Sequence, residues 1–368
     1  MRIKDVADEA GVSTATVSHV INKTRYVSEE TRAKVERAIE KFNYYPNAQA
    51  RSLASGRSNM LGVLLSDISN PFFPEVVKSI EAAAFERGYD LLLLNTNYDA
   101  ERTSDYVRRL IQRQVAGVAL MTSELDTHLI EELASKHVSV VFLDLGSAGE
   151  LMSNLIVDYE VGIEEAVRHL VELGHRRVAY IGGPKRLRSA ARRLQAFCDS
   201  FARQLPREPT PTIYEGDFQF EGGRRAAARM LSGPEIPTAV VVANDMMALG
   251  ALQECRAVGL EIPQDISIIG FDDIAFAALS DPPLTTICLP RAELGRKAVE
   301  ALMASIDHPE QQGVELHIST YLVQRGSTAR VKAGETSAPL HQQASLVETC
   351  GESDDVLPPA ENENGKIN

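Results

Sequence analysis

The chain is poor in the residues that build metal and redox centres. Its four cysteines, Cys198, Cys255, Cys288 and Cys350, are scattered and form no CxxC pair. That excludes the usual thiol motifs and favours a reduced, cytoplasmic setting. No apolar run reaches the length of a membrane span, and "LLLL" at 91–94 is expected to be a short buried strand. The first twenty residues hold no unbroken apolar stretch and are not expected to act as a secretory signal. Nucleotide-loop patterns are missing too. "YIGGP" puts two glycines after a strand, but neither GxGxxG nor GxxxxGK[ST] occurs. No Ser/His/Asp order or metal spacing stands out, and His175 in "ELGHRR" sits at a helix end, where a capping role is expected. Catalytic residues, metals and cofactors are therefore not expected.

Positive charge is also scarce overall, with a formal net charge of −13 over 368 residues. It is unevenly placed. Residues 1–58 carry ten Lys/Arg against seven Asp/Glu, whereas residues 333–368 carry one Lys against seven Asp/Glu. The front is basic and the body and tail are acidic, so whole-chain charge is a poor guide to partners. The length suggests two or three domains.

The basic front reads as three helices. Ile3, Val6, Ala7 and Ala10 recur at helical spacing, and Gly11 suits a left-handed cap. Ser13 is a good N-cap for a second helix running to about Asn22, with Val17, Val20 and Ile21 on one face. Ala15, Ser18, His19 and Asn22 share the opposite face, with Thr14 at the leading end. Ser28 caps a third helix whose buried stripe is Thr31, Val35, Ala38, Ile39 and Phe42. Two helices joined by a three-residue turn match helix-turn-helix geometry, and a short-chained polar face fits a major groove. Lys4, Thr16, Lys23, Arg25 and Tyr45 are placed to anchor phosphates. Taken alone, the segment also reads as a small three-helix domain with a solvated face.

"NYYPNAQARSLASGRSN" follows at 43–59. Pro46 stops the third helix, Asn47 can cap another, and Gly56 ends it after about two turns. So short a helix is marginal by itself. Arg51 and Arg57 suit phosphates, and Leu53 suits an apolar wedge between base steps of a minor groove. An interdomain linker with one stray leucine is the plainer reading.

From 59 to 332, unbroken apolar runs alternate with amphipathic helices: "MLGVLLS", "DLLLLN", "VAGVALM", "VSVVFLD", "LIVD", then "RRVAYIGG", "TAVVVAND" and "ISIIGFDD". Such runs imply parallel sheets covered on both faces, here as two doubly wound lobes. Ligands of such sheets bind beyond the strands' carboxyl ends. Those ends carry Asp67, Asp144, Asp158, Asn244, Asp245, Asp272 and Asp273, with Phe72 and Phe73 close behind the first. Carboxylates and amides accept from hydroxyls, and aromatic rings stack on sugar-like faces. Each alone also reads as a cap or turn former. "GGPKRLRSAARRLQAF" crowds Lys185, Arg186, Arg188, Arg192 and Arg193 together. All but Arg193 are expected on a solvated face, with an anion subsite as the alternative.

"IKDVADEAGVSTATVSHVINK", "VSEETRAKV" and "YYPNAQARSLASG" resemble the headpiece and hinge of the lactose-repressor family of bacterial transcription regulators. The headpiece is especially similar to that of the family's purine repressor. "SDISNPFFPEV", "GHRRVAYIGGP", "GDFQFEGG", "TAVVVANDMMALGAL" and "GLEIPQDISIIGFDD" extend the likeness through the body. The resemblance implies an all-α helix-turn-helix headpiece (1–45), a hinge helix and linker (46–58) and an α/β body of two periplasmic-binding-protein lobes (59–332). It implies base reading by Thr14, Ala15 and His19 and a wedge at Leu53; helix face and charge add Thr16, Ser18, Asn22, Lys4, Arg25 and Arg51 as expected DNA contacts. It implies effector contacts by Phe72, Phe73, Arg193, Phe218, Asn244 and Asp272, to which the strand-end position adds Asp144. The expected partners are a palindromic operator, a small-molecule effector, sugar or sugar phosphate, and a second copy of the chain. Two departures stand out. Ala54 follows the wedge leucine where the purine repressor has lysine, and Leu187 and Ser189 replace an arginine and a threonine of its purine site. A purine effector and a plain periplasmic-type solute binder are the alternatives. The acidic tail (333–368) is expected to be disordered. Its Leu340, Leu346 and Leu357 keep no heptad, and Cys350 is expected to be a silent, exposed thiol.

Overall fold

The computed structural model describes residues 2–22, 25–45, 58–122, 127–144 and 148–332. Arg51, Leu53, the rest of the hinge, Lys23 and the acidic tail lie outside the described residues. The chain divides into two compact units, Met1–Asn59 and Met60–Asn368.

The first unit holds α1 (Ile3–Ala10), α2 (Thr14–Asn22) and α3 (Glu29–Phe42). Gly11 ends α1 at φ +68°, a conformation that glycine adopts without a Cβ penalty, and its N–H bonds back to the helix. Ser13 Oγ accepts the Thr16 N–H at 3.1 Å and starts α2. Ser28 Oγ accepts the Thr31 N–H and starts α3. Val6, Ala7, Ala10, Val17, Val20, Val35 and Ala38 form the core. Of the expected α3 stripe, Val35 and Ala38 are buried and Thr31, Ile39 and Phe42 half-buried.

In the second unit the elements run β1 (Met60–Leu65), α4 (Phe72–Phe85), β2 (Asp90–Asn95), α5 (Ala100–Gln112), β3 (Gly117–Met121), α6 (Thr127–Ser135), β4 (Ser139–Leu143) and β5 (Met152–Asp158). They continue α7 (Tyr159–Glu172), β6 (Val178–Gly182), α8 (Arg188–Gln204), β7 (Ile213–Glu215), α9 (Phe220–Leu231), β8 (Ala239–Val242), α10 (Asp245–Ala257) and β9 (Ser267–Asp272). Last come α11 (Ala275–Leu279), β10 (Thr285–Cys288), α12 (Arg291–Asp307), β11 (Glu315–Ser319) and β12 (Tyr321–Val323). Two six-stranded sheets result, ordered β2-β1-β3-β4-β5-β11 and β7-β6-β8-β9-β10-β12. Every pairing is parallel except β10 with β12. Both are doubly wound, with the order reversing beside β1 and beside β6, and each such reversal opens a crevice at the strand ends.

The chain passes between the lobes three times: after Asp158, between Cys288 and Arg291, and between Ser319 and Tyr321. The first and last passages are tied together. Thr320 Oγ1 donates to the Asp158 carbonyl at 2.7 Å and accepts the Gly162 N–H at 3.0 Å. Gly162 is required there, because a Cβ would lie 2.7 Å from that hydroxyl oxygen.

Two sequence expectations need correction. The run 91–94 is an edge strand paired only with β1, and its leucines are half-buried or exposed, because β2 ends the sheet. His175 caps no helix with its side chain. Its ring is buried, with Nδ1 2.9 Å from Thr238 Oγ1 and Nε2 2.9 Å from the Ala329 carbonyl, and it fastens the chain's last described segment. No helix among the described residues is long and apolar enough to cross a membrane.

Candidate effector cleft and nucleic-acid interface

In the first unit, α2 turns Val17 and Val20 inward and leaves Thr14, Ala15 and Asn22 exposed, with Thr16, Ser18 and His19 half-buried. The polar groups of this face are ordered among themselves. Ser13 Oγ and Thr16 Oγ1 lie 2.9 Å apart, and Asn22 Nδ2 donates to Ser18 Oγ at 3.1 Å. Such ordering lowers the entropy lost on docking into a groove. Lys4 and Arg25 are exposed. Sequence reasoning passed over Tyr26, which is 92% exposed beside Arg25 and presents a hydroxyl suited to a phosphate.

Between the two lobes lies a cleft with about 660 Å³ of space, the open solvent at its mouth included. Phe72, Phe73, Asp144, Arg193, Phe218, Asn244 and Asp272 all line it. Asp67, Asp158, Asp245 and Asp273 do not. Asp67 accepts from Gln219, Asp158 faces His317 at 2.8 Å, and Asp273 pairs with Arg325 at 2.6 Å. Asp245 is buried and accepts the Thr286 hydroxyl and the Ile274 N–H, and burial holds its carboxyl well above the ordinary range.

The first lobe offers Phe72 edge-on to Phe73, with ring centroids 5.3 Å apart. From the second lobe comes Phe218, whose ring covers Gly183. Asn244 fixes that ring rather than pointing freely into the cleft. Its Oδ1 caps α10 through the Met247 N–H, and its Nδ2 donates to the Phe218 carbonyl at 3.0 Å. Arg193 is 7% exposed. It donates to the Ala243 carbonyl and to Asp272 Oδ1, and its guanidinium lies 4.0 Å from the centre of the Phe271 ring. Burial pushes the Asp272 carboxyl up to about 6, against the pull of Arg193 and Arg291. Burial, reinforced by the Asp144 carboxylate, raises the Tyr159 phenol above its usual range.

Arg192 departs from its expected solvated face. It reaches across the lobes to Asp144 Oδ1 at 2.8 Å and to the Val157 carbonyl at 3.1 Å. Neighbouring Arg193 points the other way, so two adjacent arginines each meet a different carboxylate; only the distance to Asp144, 48 positions away, hid this in the sequence. At the cleft wall Asp144 Oδ2 and Arg193 Nε are fully buried, and the buried Tyr159 hydroxyl interacts with both side chains. Ser66, Asn70 and Thr122 add polar groups that sequence reasoning did not assign to the lining.

Residues 2–47 match the family described as bacterial regulatory proteins, lacI family, and residues 167–328 match the periplasmic binding protein-like domain. The ribose operon repressor of Escherichia coli (strain K12) is 41% identical over 330 residues, 88% of this chain and 99% of that protein. The chain belongs to the lacI family of bacterial regulatory proteins. The HTH-type transcriptional repressor PurR of Proteus mirabilis (strain HI4320) is 38% identical, covering 89% of this chain and 96% of its own. Among solved structures, the lac repressor dimer bound to operator and an anti-inducer superposes with a TM-score of 0.80 at 32% identity, covering 89% of this chain and 99% of the other. A lacI-family regulator of Enterococcus faecium with bound ribose gives 0.68 at 30% identity, covering 74% and 100%. As a lacI-family protein the chain is a DNA-binding transcription regulator, not an enzyme, with a helix-turn-helix headpiece and a periplasmic-binding-protein-type body.

Proposed function

We propose that this regulator is a cytoplasmic, homodimeric repressor that binds a palindromic operator and answers to a neutral sugar, a pentose such as ribose. Residues 1–45 read the operator, with Thr14, Ala15, Thr16, Ser18, His19 and Asn22 facing bases and Lys4 and Arg25 facing phosphates. The hinge (46–58) orders over the central minor groove, with Leu53 as wedge and Arg51 on a phosphate. The body (59–332) holds the sugar and the dimer contact.

One observation carries the choice of ligand. Arg193, which lines the cleft, and its neighbour Arg192 are each engaged by a carboxylate, so neither stands ready for a phosphate dianion. Ser66, Asn70, Thr122 and Ser189 offer hydroxyl and amide partners to a sugar's hydroxyls, and Phe72, Phe73 and Phe218 offer apolar faces to its ring. The names of the ribose operon repressor and of the ribose-bound regulator agree with this reading. Leu187 and Ser189 both line the cleft, which removes the charged edge that the purine site resemblance would need.

Titration calorimetry with ribose, ribose 5-phosphate and hypoxanthine, followed by gel shift on a palindromic operator, tests it. Ribose is expected to bind and the other two not; binding of the phosphate or the purine alone replaces the ligand assignment. Leu53→Ala is expected to lose operator affinity while ribose still binds, and unchanged operator affinity removes the wedge.

A further inference from the structure

The lobes also meet outside the cleft lining. Gln219 Nε2, on the second lobe, donates to Asp67 Oδ2, on the first, at 2.7 Å. Both ends are held in place. Asp67 is 6% exposed at the end of β1, and its other oxygen accepts the Ser69 N–H at 2.9 Å and the Ser69 hydroxyl at 2.6 Å. The same turn is tied to β2 by the Ile68 N–H on Asn95 Oδ1 at 2.9 Å. Gln219 is the N-cap residue of α9, and its N–H donates to Asp217 Oδ1 at 2.9 Å. Its neighbour Phe218 is fixed by Asn244 and by an N–H contact to Met247 Sδ. Neither anchor depends on the other lobe, so the bond exists only while the lobes are together. It is also adjacent in sequence to Phe218 and five residues from Phe72, so parting it parts the aromatic faces.

We propose that Asp67 and Gln219 form a closure latch, a positioning pair that sets how long the cleft stays shut and hence effector affinity, without touching the effector. The proposal rests on the reading that the cleft takes a sugar. A hydrogen bond to a charged acceptor, made in one state only, shifts the closed fraction in its own favour and raises apparent affinity accordingly.

The test is a mutant cycle on the full chain with ribose as probe. Gln219→Leu and Asp67→Ala are each expected to weaken ribose binding about tenfold, about 1.4 kcal/mol, through faster dissociation. The double variant is expected to be no weaker than either single one. Asp67→Asn keeps the turn through its carbonyl and offers its amide to Gln219 Oε1, so it is expected to stay close to the parent. Hydrogen exchange of the ligand-free proteins supplies the second readout. Peptides covering 187–193, remote in sequence from both substitutions, are expected to exchange faster in Gln219→Leu. Parental affinity and exchange in Gln219→Leu overturns the latch, as do single losses that multiply to a hundredfold in the double variant. If the parent binds no ribose, the sugar reading falls, and the ligand-free exchange still decides the latch by itself.

Discussion

Replacing Arg193 by methionine tests the charge balance beneath the cleft. Arg193 and Asp272 are 7% and 4% exposed, and the pair is 3.3 Å apart. Asp272 titrates near 6 because burial outweighs its two guanidinium neighbours. At pH 7 its neutral form is therefore only about one pH unit away, about 1.4 kcal/mol. Without Arg193 the carboxyl takes up a proton rather than hold an unpaired buried charge, which limits that part of the penalty to about 1.4 kcal/mol. The Ala243 carbonyl loses its donor as well, a further ~1–3 kcal/mol. The sum is about 2–4 kcal/mol, or a fall in Tm of roughly 5–15 °C for a body of this size. A carboxyl whose folded pKa is raised destabilises the fold once ionised, so stability is lost as pH rises through the folded value. In the variant the folded carboxyl stays protonated to higher pH than in the parent. The Asp272 part of the gap between the two proteins is then near zero at pH 5, about 1.4 kcal/mol at pH 7 and about 2.7 kcal/mol at pH 8. Urea unfolding at these three pH values measures it, and a gap that does not change between pH 5 and pH 8 refutes the reasoning.

Three further substitutions probe the parts that hold the two sites in shape. Ser13→Ala removes the acceptor for the Thr16 N–H and is expected to destabilise the headpiece by about 1 kcal/mol, seen in its thermal transition by circular dichroism. Gly223→Ala drives a methyl into the Met247 backbone where α9 crosses α10, and is expected to cost about 1–3 kcal/mol in urea unfolding; parental stability would mean that the two helices separate freely. Asn244→Ala removes a helix cap and the donor to the Phe218 carbonyl together, and is expected to cost about 2 kcal/mol and to weaken ribose binding measured by calorimetry.

The headpiece was legible because its signals are local. Gly11, Ser13 and Ser28 act within four residues of themselves, and the apolar stripe of each helix repeats at a fixed spacing. The long strands of both lobes were legible for the same reason, since β1, β3, β4, β6, β8 and β9 are apolar but for Ser139, Ser267 and Asp272 at strand ends. What escaped notice is short, at an edge, or brought in from far away. Strand β11 joins the first sheet more than 150 residues after β5, and its sequence "ELHIS" carries no apolar run because one face is exposed. Strands β7 and β12 span three residues each. At the cleft, strand-end carboxylates could be enumerated but not sorted. Asp144 and Asp272 line the cleft, whereas Asp245 is consumed by Thr286 and Ile274, and that distinction exists only once β8, β9 and β10 are side by side.

Backbone conformation explains why the cleft residues are placed so firmly. Asp144, Phe218 and Asp272 have φ of +59°, +66° and +109°, a region that non-glycine residues enter at a cost. Each takes part in a hydrogen bond that anchors it. The Val157 N–H donates to Asp144 Oδ1, Asn244 to the Phe218 carbonyl, and Arg291 to the Asp272 carbonyl. Within each lobe the ligand-facing groups are thus pre-set before any sugar arrives, and little reorganisation is left to them. The freedom that remains lies between the lobes, at three chain passages of which two are knotted through Thr320. A ligand that touches Phe72 and Asp144 on one side and Phe218, Arg193 and Asp272 on the other therefore changes chiefly the balance between parted and joined lobes. In a regulator built this way, effector chemistry is read out as lobe position.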